Sequence, residues 1–164
     1  FSSISNTTVA VVGIGGVGGY AVEGLIRSGV SSVILVDYDT IEESNLNRQI
    51  IADSKHIGFF KVDEMERRIL NINPFCKVIK IYDKLSLDNL DSLFNYSFDY
   101  LIDACDTIEV KQELIRRCLD SNIKIISENI KYFLNLPLKS GMDLKYLLPA
   151  LSLRKTEYFW FEQK

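Results

Sequence analysis

A glycine-rich turn between two apolar segments is the sequence feature that most constrains the fold of this chain. An apolar run at residues 9–12 leads into G-I-G-G-V-G-G, and a second run at 33–36 closes on Asp37. Between the two runs, residues 17–26 repeat apolar side chains at helical spacing. The pattern predicts a βαβ unit with a G-x-G-x-x-G loop at Gly13, Gly15 and Gly18.

The chemistry of this loop is that of nucleotide binding. Glycine permits positive φ and lets backbone N–H groups approach a phosphate at the positive end of a helix. An acid at the end of the next strand, here Asp37, accepts a hydrogen bond from a ribose hydroxyl. NAD, FAD, S-adenosylmethionine and ATP all fit this much of the pattern. A purely structural glycine turn is the weaker interpretation, because the strand, the helix and the acid are all in place.

Length and composition fit one globular domain. The chain has 164 residues, of which 47% are apolar and 25% charged. No stretch approaches the roughly 20 apolar residues that cross a bilayer, so we expect no membrane span. The formal charge of −3 gives no broad basic field, so any contact with nucleic acid is expected to be local. Phe1 stands where an initiator Met would, and no basic signal-peptide segment follows, so we expect a piece of a longer protein.

The three cysteines indicate a reducing compartment, the cytoplasm. Cys76, Cys105 and Cys118 are odd in number and show no C-x-x-C spacing. We expect Cys76 and Cys118 in the core, and Cys105 as a small buried residue at a strand end. A nucleophilic role for the Cys105 thiol is the less favoured alternative. His56 has no paired Cys or His spacing, so no metal role is expected for it.

Strands alternate with helices along the rest of the chain. Further strands are predicted at residues 76–82, 100–104 and 124–127. A helix begins at Lys61 and ends near an Asn-Ile-Asn-Pro stop, and others are expected at 87–94, with Ser86 as N-cap, and at 110–119. The alternation predicts an α/β fold, a Rossmann-like, doubly wound, mostly parallel sheet with helices on both faces.

Two stretches depart from this alternation. Residues 40–61 form a long polar loop with a short helix, and long loops in compact domains tend to be functional. Residues 1–127 are expected to form the nucleotide-binding domain, with 128–164 as a C-terminal extension of the same domain. In that extension, 144–153 is compatible with a helix broken by Pro149. Residues 158–161 (Y-F-W-F) read either as an edge strand or as an aromatic patch, for which core or subunit contact is favoured over a ligand platform.

Polar residues gather where the predicted strands end, and together they favour nucleotidyl transfer over hydride transfer. Attack at a phosphate builds charge on its oxygens, which Arg, Lys and Mg²⁺ stabilise, whereas a hydride transfer needs no such cluster. Singly, each residue also has a structural explanation: Lys61 as an exposed charge, Arg48 as a surface residue, Asp106 as a helix N-cap. The candidate groups are Asp37, Asp39, Asn45, Arg48, Lys61, Asp106 and Thr107.

In combination, these motifs resemble the ubiquitin-activating-like adenylyltransferases of the ThiF and MoeB type. The resemblance runs from about Val9 to Ser127 through G-I-G-G-V-G-G, D-Y-D, N-L-N-R-Q, G-F-F-K, I-N-P and D-A-C-D. It implies an ATP-binding adenylation domain and a homodimer whose partner completes the ATP site. By position, it implies catalytic roles for Arg48, Lys61 and Asp106, with Mg²⁺ near Asp106. The implied ATP site comprises Gly13, Gly15, Gly16, Gly18, Asp37, Asp39, Asn45, Arg48, Lys61, Asp106 and Thr107.

Within that family the chain is most similar to the tRNA threonylcarbamoyladenosine dehydratase branch, judged by N-R-Q-I at 47–50 and I-D-A at 102–104. Members that charge ubiquitin-like proteins usually carry Asp-Asn where this chain has Asp106-Thr107. The similarity implies ATP-dependent activation of the threonylcarbamoyl carboxylate on tRNA, followed by loss of water to close a ring. Adenylation of the C-terminal glycine of a ubiquitin-like carrier remains an alternative, as does an NAD-binding or non-enzymatic Rossmann domain. The residues after Ser127 depart from the branch, which usually has a glycine-rich loop there.

Overall fold

The fold is a single six-stranded sheet, seen in a computed structural model that describes residues 6–128 and 158–161. The strands are β1 (Thr8–Val12), β2 (Ser32–Val36), β3 (Lys77–Ile81), β4 (Tyr100–Asp103), β5 (Lys124–Glu128) and β6 (Tyr158–Phe161). They lie in the order β3-β2-β1-β4-β5-β6. The first five run parallel, and β6 pairs antiparallel with β5. The predicted Rossmann-like α/β fold is confirmed, and the Y-F-W-F backbone forms an edge strand.

Four α-helices and one 3₁₀ turn connect the described strands. They are α1 (Gly18–Arg27), the 3₁₀ turn (Glu43–Asn45), α2 (Lys61–Ile72), α3 (Asp91–Phe94) and α4 (Ile108–Asp120). Among residues 6–128 and 158–161, no helix combines the length and the hydropathy needed to span a bilayer. The helix predicted at 144–153 lies outside the described residues, and the division into residues 1–127 and 128–164 stays a prediction.

Two hydrophobic cores cover the two faces of the sheet, because successive side chains of a strand point to opposite faces. Val9 and Val11 of β1 belong to the core beneath α1 and α2. Ala10 and Val12 belong to the core beneath α3 and α4. The buried side chains of the helices include Val22, Ile26, Val62, Met65, Ile69, Val110, Leu114, Ile115 and Cys118.

The segment before α3 is where the sequence prediction was wrong. The helix is shorter than the predicted 87–94, and its N-cap is Leu90 rather than Ser86. The Ser86 backbone N–H instead donates to Asn89 Oδ1 at 2.7 Å, and Asn89 Nδ2 donates to the Lys84 carbonyl at 2.9 Å. An asparagine side chain therefore closes a turn here, in competition with the helix.

The strand order places a crevice at the carboxyl edge of the sheet. From β1 the chain crosses through α1 to β2 on one side, while β4 lies on the other side of β1. In open α/β sheets, ligands bind outside the carboxyl ends of the strands where the connections diverge. The glycine loop after β1 and the turn after β4 both lie at this point.

Candidate functional site

The glycine loop is packed so tightly that two of its glycines have no substitute. Gly13 adopts a φ of +89°, and a Cβ added there would lie 2.6 Å from the Ala104 carbonyl oxygen. A Cβ on Gly18 would lie 1.8 Å from the Gly13 carbonyl oxygen. At Gly15 and Gly16 an added Cβ would meet only ordinary contacts at 3.8 Å. The loop, which leads into α1, is thus folded back on itself and packed against the residue that follows β4.

Asp37 holds this loop in place from the end of β2. Its Oδ2 accepts the Ile14 N–H at 2.6 Å and its Oδ1 accepts the Asp39 N–H at 2.9 Å. The residue is 8% exposed. Burial raises the pKa of Asp37, and the two backbone hydrogen bonds offset part of that rise. The residue predicted to bind a ribose therefore also fixes the backbone that is predicted to bind the phosphates.

The long loop at 40–60 is closed at its base, which delivers Lys61 to the site. Ile41 N–H donates to the Phe59 carbonyl at 2.8 Å, and Lys61 N–H donates to the Asp39 carbonyl at 3.0 Å. Lys61 Nζ then lies 3.0 Å from Asp39 Oδ2, and the lysine is 5% exposed. Interpretation of Lys61 as an exposed helix-start charge is therefore wrong. A buried ammonium lies at the start of α2, on the same edge as the glycine loop.

Asn45 and Arg48 occupy the 3₁₀ turn and the residues directly after it. Asn45 is buried, and its Oδ1 accepts the Glu42 N–H at 3.0 Å, which closes the turn. Arg48 is exposed, and its Nη1 donates to the Ser44 carbonyl at 2.6 Å and to Asn47 Oδ1 at 3.0 Å. The turn thus holds a guanidinium at the rim of the crevice.

Asp106 and Thr107 form the turn between β4 and α4. Thr107 is the N-cap residue of α4, and its side chain makes no capping hydrogen bond within the described part of the chain. The interpretation of Asp106 as the N-cap is therefore wrong. Asp106 is exposed and lines the crevice.

These groups meet around one cleft of about 310 Å³. The predicted residues that line it are Gly13, Gly15, Asp37, Asp39, Asn45, Arg48, Lys61, Asp106 and Thr107. Gly16 and Gly18 lie outside the lining; a Cβ on Gly16 would contact Arg48, and Gly18 packs against Gly13. The cleft thus combines cationic side chains, carboxylates and the glycine loop, an arrangement suited to a metal-bound polyphosphate.

The cleft also contains polar residues that the sequence reasoning missed. Gln49 is 7% exposed, and its buried Oε1 has no hydrogen-bond partner among residues 6–128. The sequence clue to Gln49 was its position at the end of the N-L-N-R-Q motif. Asp83 and Lys84 follow β3, and Lys84 Nζ lies 5.2 Å from the centre of the Tyr38 ring. The carboxyl-edge argument, applied to β3 as it was to β4, finds both.

Cys105 and His56 each lie beside a carboxylate. Burial and the nearby Asp103 carboxylate raise the pKa of the Cys105 thiol well above its usual range, so it stays protonated at neutral pH. His56 Nδ1 lies 2.6 Å from Asp53 Oδ1. Within the described ranges, no three His, Cys, Asp or Glu side chains are placed to hold a metal ion by themselves.

Comparison with known proteins gives a consistent result. The sequence model of the ThiF family matches residues 1–133. The chain is 45% identical over 125 residues to the tRNA threonylcarbamoyladenosine dehydratase of Bacillus subtilis, which covers 76% of this chain and 49% of that relative. It is 32% identical over 117 residues to the molybdopterin-synthase adenylyltransferase of Haemophilus influenzae, which covers 71% of this chain and 48% of that relative.

A solved structure is similar over the same region. The crystal structure of Escherichia coli tRNA N6-threonylcarbamoyladenosine dehydratase in complex with ATP matches with a TM-score of 0.74 and 36% identity, over 77% of this chain and 52% of that chain. Another structure of that enzyme is a complex with AMP. The chain spans about half the length of the relatives it matches.

Proposed function

The chain belongs to the ThiF family, and from this premise we propose that it binds ATP in the carboxyl-edge cleft and adenylates a carboxylate there. One observation carries the proposal: the glycine loop, Lys61, Arg48 and Asp106 line or border the same cleft. The similar Escherichia coli enzyme has been crystallised with ATP and with AMP, which supports the same nucleotide here.

The proposed substrate is the threonylcarbamoyl group of the modified adenosine in tRNA. Its carboxylate oxygen attacks the α-phosphorus of ATP, which forms an acyl adenylate and releases pyrophosphate. A substrate N–H nitrogen then attacks the activated carbonyl; the C–N bond that closes the ring forms, the bond to AMP breaks and the nitrogen loses its proton to solvent. Each of these steps has its nucleophile on the substrate, in agreement with the protonated thiol of Cys105. The names of the relatives with 38–45% identity support this substrate.

Each proposed site residue has a role that its position supports. The backbone of the glycine loop meets the phosphates at the start of α1, where the helix dipole is positive. Asp37 accepts from the ribose, and Lys61 shares its charge between Asp39 and a phosphate. Arg48, at the rim, neutralises charge that develops on the phosphate oxygens during attack.

We propose Asp106 as the protein ligand of the Mg²⁺ that accompanies ATP. Mg²⁺ is commonly held by one or two carboxylates together with substrate phosphates and water, rather than by an all-protein cage. The cleft is compatible with this coordination, because Asp106 is exposed within it while Asp39 is already paired with Lys61. Bound Mg²⁺ would neutralise phosphate charge as a Lewis acid.

The test of the proposed function uses the full-length protein. We expect ATP with Mg²⁺ to raise the melting temperature, and AMP to form when tRNA carrying threonylcarbamoyladenosine is added. The first matched control is NAD in place of ATP, which is not expected to raise the melting temperature. The second is tRNA of the same sequence that lacks the modification, which is not expected to give AMP.

Two results would change the assignment in different ways. Stabilisation by NAD and not by ATP would refute adenylation. AMP formation only with a ubiquitin-like carrier would refute the tRNA substrate and retain the adenylation chemistry.

We further propose that the protein is a cytoplasmic homodimer whose partner adjoins the cleft. The loop directly before Lys61 carries three exposed apolar side chains, Ile57, Phe59 and Phe60, at 45%, 54% and 42% exposure. A second copy that covers them would lie beside the ATP site, as the family resemblance implies. The unpaired thiols of Cys76, Cys105 and Cys118 suit a reducing compartment.

Light scattering tests the dimer. The full-length protein is expected to have twice the mass of one chain, and Phe59→Glu to have the mass of one chain, because a buried charge opposes apolar contact. Phe75→Glu is the matched control, since Phe75 is 92% exposed and lies before β3, at the opposite edge of the sheet. A monomeric wild type at working concentration would contradict the proposal.

A further inference from the structure

A buried ionic cluster lies directly behind the turn that carries Asp106, and the adenylation chemistry proposed above does not use it. The cluster consists of Asp103 at the end of β4, Lys111 in α4 and Ser127 in β5, which are 0%, 3% and 0% exposed. Lys111 Nζ lies 2.5 Å from Asp103 Oδ2 and 3.3 Å from Ser127 Oγ. Ser127 Oγ donates to the same Asp103 oxygen at 2.5 Å.

A cluster of this kind is costly, so its presence calls for a reason. Two charges taken out of water lose their hydration, and a pair of well-packed apolar side chains would often be as stable or more stable. Strands β4 and β5 and helix α4 meet at this point, and apolar side chains could fill the space between them equally well.

The second oxygen of Asp103 gives that reason. Asp103 Oδ1 accepts the Cys105 N–H at 3.1 Å, which turns the chain immediately after β4. At the other end of the turn, the Lys111 backbone N–H donates to the Thr107 carbonyl at 3.0 Å. The backbone N–H of Lys111 thus makes the first helical hydrogen bond after the segment 104–107, and its ammonium pairs with the Asp103 carboxylate that accepts the Cys105 N–H.

The segment held in this way is also a wall of the cleft. Ala104, Cys105, Asp106 and Thr107 all line it. The Ala104 carbonyl packs against Gly13, where an added Cβ would lie 2.6 Å from it. A shift of the turn would therefore move Asp106 and disturb the glycine loop together.

We propose that Asp103 and Lys111 are positioning residues for Asp106: the Asp103 carboxylate fixes the 104–107 turn through the Cys105 N–H, and Lys111 holds that carboxylate in place. The proposal rests on the proposed function for its effect on turnover. Neither residue touches the substrate, so both act through the turn.

Two double variants of the full-length protein separate positioning from charge compensation. Asp103→Leu with Lys111→Met removes both charges and the acceptor for the Cys105 N–H. Asp103→Asn with Lys111→Met also removes both charges but keeps that acceptor. Neither variant leaves an unpaired buried charge, so both are expected to fold.

We expect the leucine variant to turn over at least about tenfold more slowly than the asparagine variant, because small displacements of a positioned group cost large factors in rate. The dissociation constant for ATP is expected to rise in the leucine variant by a smaller factor than the rate falls, because the shifted turn disturbs the glycine loop as well as Asp106, and Asp106 matters mainly in the transition state. The asparagine variant thus serves as the conservative rescue.

Amide hydrogen exchange gives a second readout that does not depend on activity. The Cys105 amide is expected to exchange at least about tenfold faster in the leucine variant than in the asparagine variant, since its acceptor is lost. Equal exchange and equal turnover in the two variants would overturn the proposal. If wild type and variants all fail to form AMP, the proposed function falls, while the exchange comparison still decides on positioning.

Discussion

Replacement of Asp106 or of Arg48 by alanine is expected to lower the rate of AMP formation by about 10²–10³, while ATP binding weakens far less. The physical reason is that attack on the α-phosphorus moves charge onto phosphate oxygens. Under the proposed function, Arg48 and a Mg²⁺ held by Asp106 would meet that charge mainly in the transition state, whereas the glycine loop and Lys61 would bind the phosphates already present in ATP. Single-turnover AMP formation and calorimetric ATP titration measure the two effects separately.

Two controls match these variants in the sign of the charge that is removed. Glu109→Gln removes an exposed carboxylate in the first turn of α4, three residues beyond Asp106 and outside the cleft lining. Arg116→Ala removes an arginine that pairs with Glu113 and Asp120 on α4. Both controls are expected to keep turnover within about threefold of wild type, since surface ion pairs contribute little. Wild-type rates for the Asp106 and Arg48 variants would refute their assignment.

The second large effect is expected at Gly18. In Gly18→Ala the new Cβ would lie 1.8 Å from the Gly13 carbonyl oxygen, a backbone atom that no rotamer change can move. The loop must open, so we expect ATP affinity to fall by at least about a hundredfold. Forced overpacking of this kind costs about 3 kcal/mol in the free energy of unfolding, which corresponds to roughly 10 °C in melting temperature.

Gly24→Ala is the matched control for this substitution. Gly24 lies inside the same helix, and a Cβ there would meet nothing within 4 Å. Because alanine favours the helix more than glycine does, this variant is expected to gain up to about 1 kcal/mol in stability and to bind ATP as wild type does. Thermal unfolding and ATP titration compare the pair. Equal melting temperatures and affinities for Gly18→Ala and wild type would show that the loop is not held as described.

The sequence predicted the parts of the fold that depend on local pattern. Apolar periodicity located every helix and strand from β1 to β5, because each element buries one face or both against the sheet. The predicted bounds of α3 were wrong, because the Asn89 side chain competes with the helix for backbone groups. Apolar periodicity contains no information about such competition.

The candidate site was predicted less completely, for a physical reason. The sequence located the residues that follow a strand with a clear apolar pattern, as for Asp37 and Asp106. Gln49 was missed because its place in the cleft depends on how the long loop folds back, and Lys84 was missed because the carboxyl-edge argument was not applied to β3. The ionic cluster of Asp103 and Lys111 was missed too, since it joins two elements whose relative placement no local pattern contains.

The pairing of β1 with β4 has a consequence for folding during synthesis. Thr8 N–H donates to Asp99 Oδ2 across 91 residues of chain, and Ala104 N–H donates to the Val12 carbonyl at 2.8 Å. On the ribosome, the glycine loop and Lys61 emerge several seconds before Asp106, at the usual rates of synthesis. Closure of so long a loop is a late step in folding. The cleft therefore has both of its walls only once β4 has paired with β1, and any ligand that contacts both walls depends on this long-range closure.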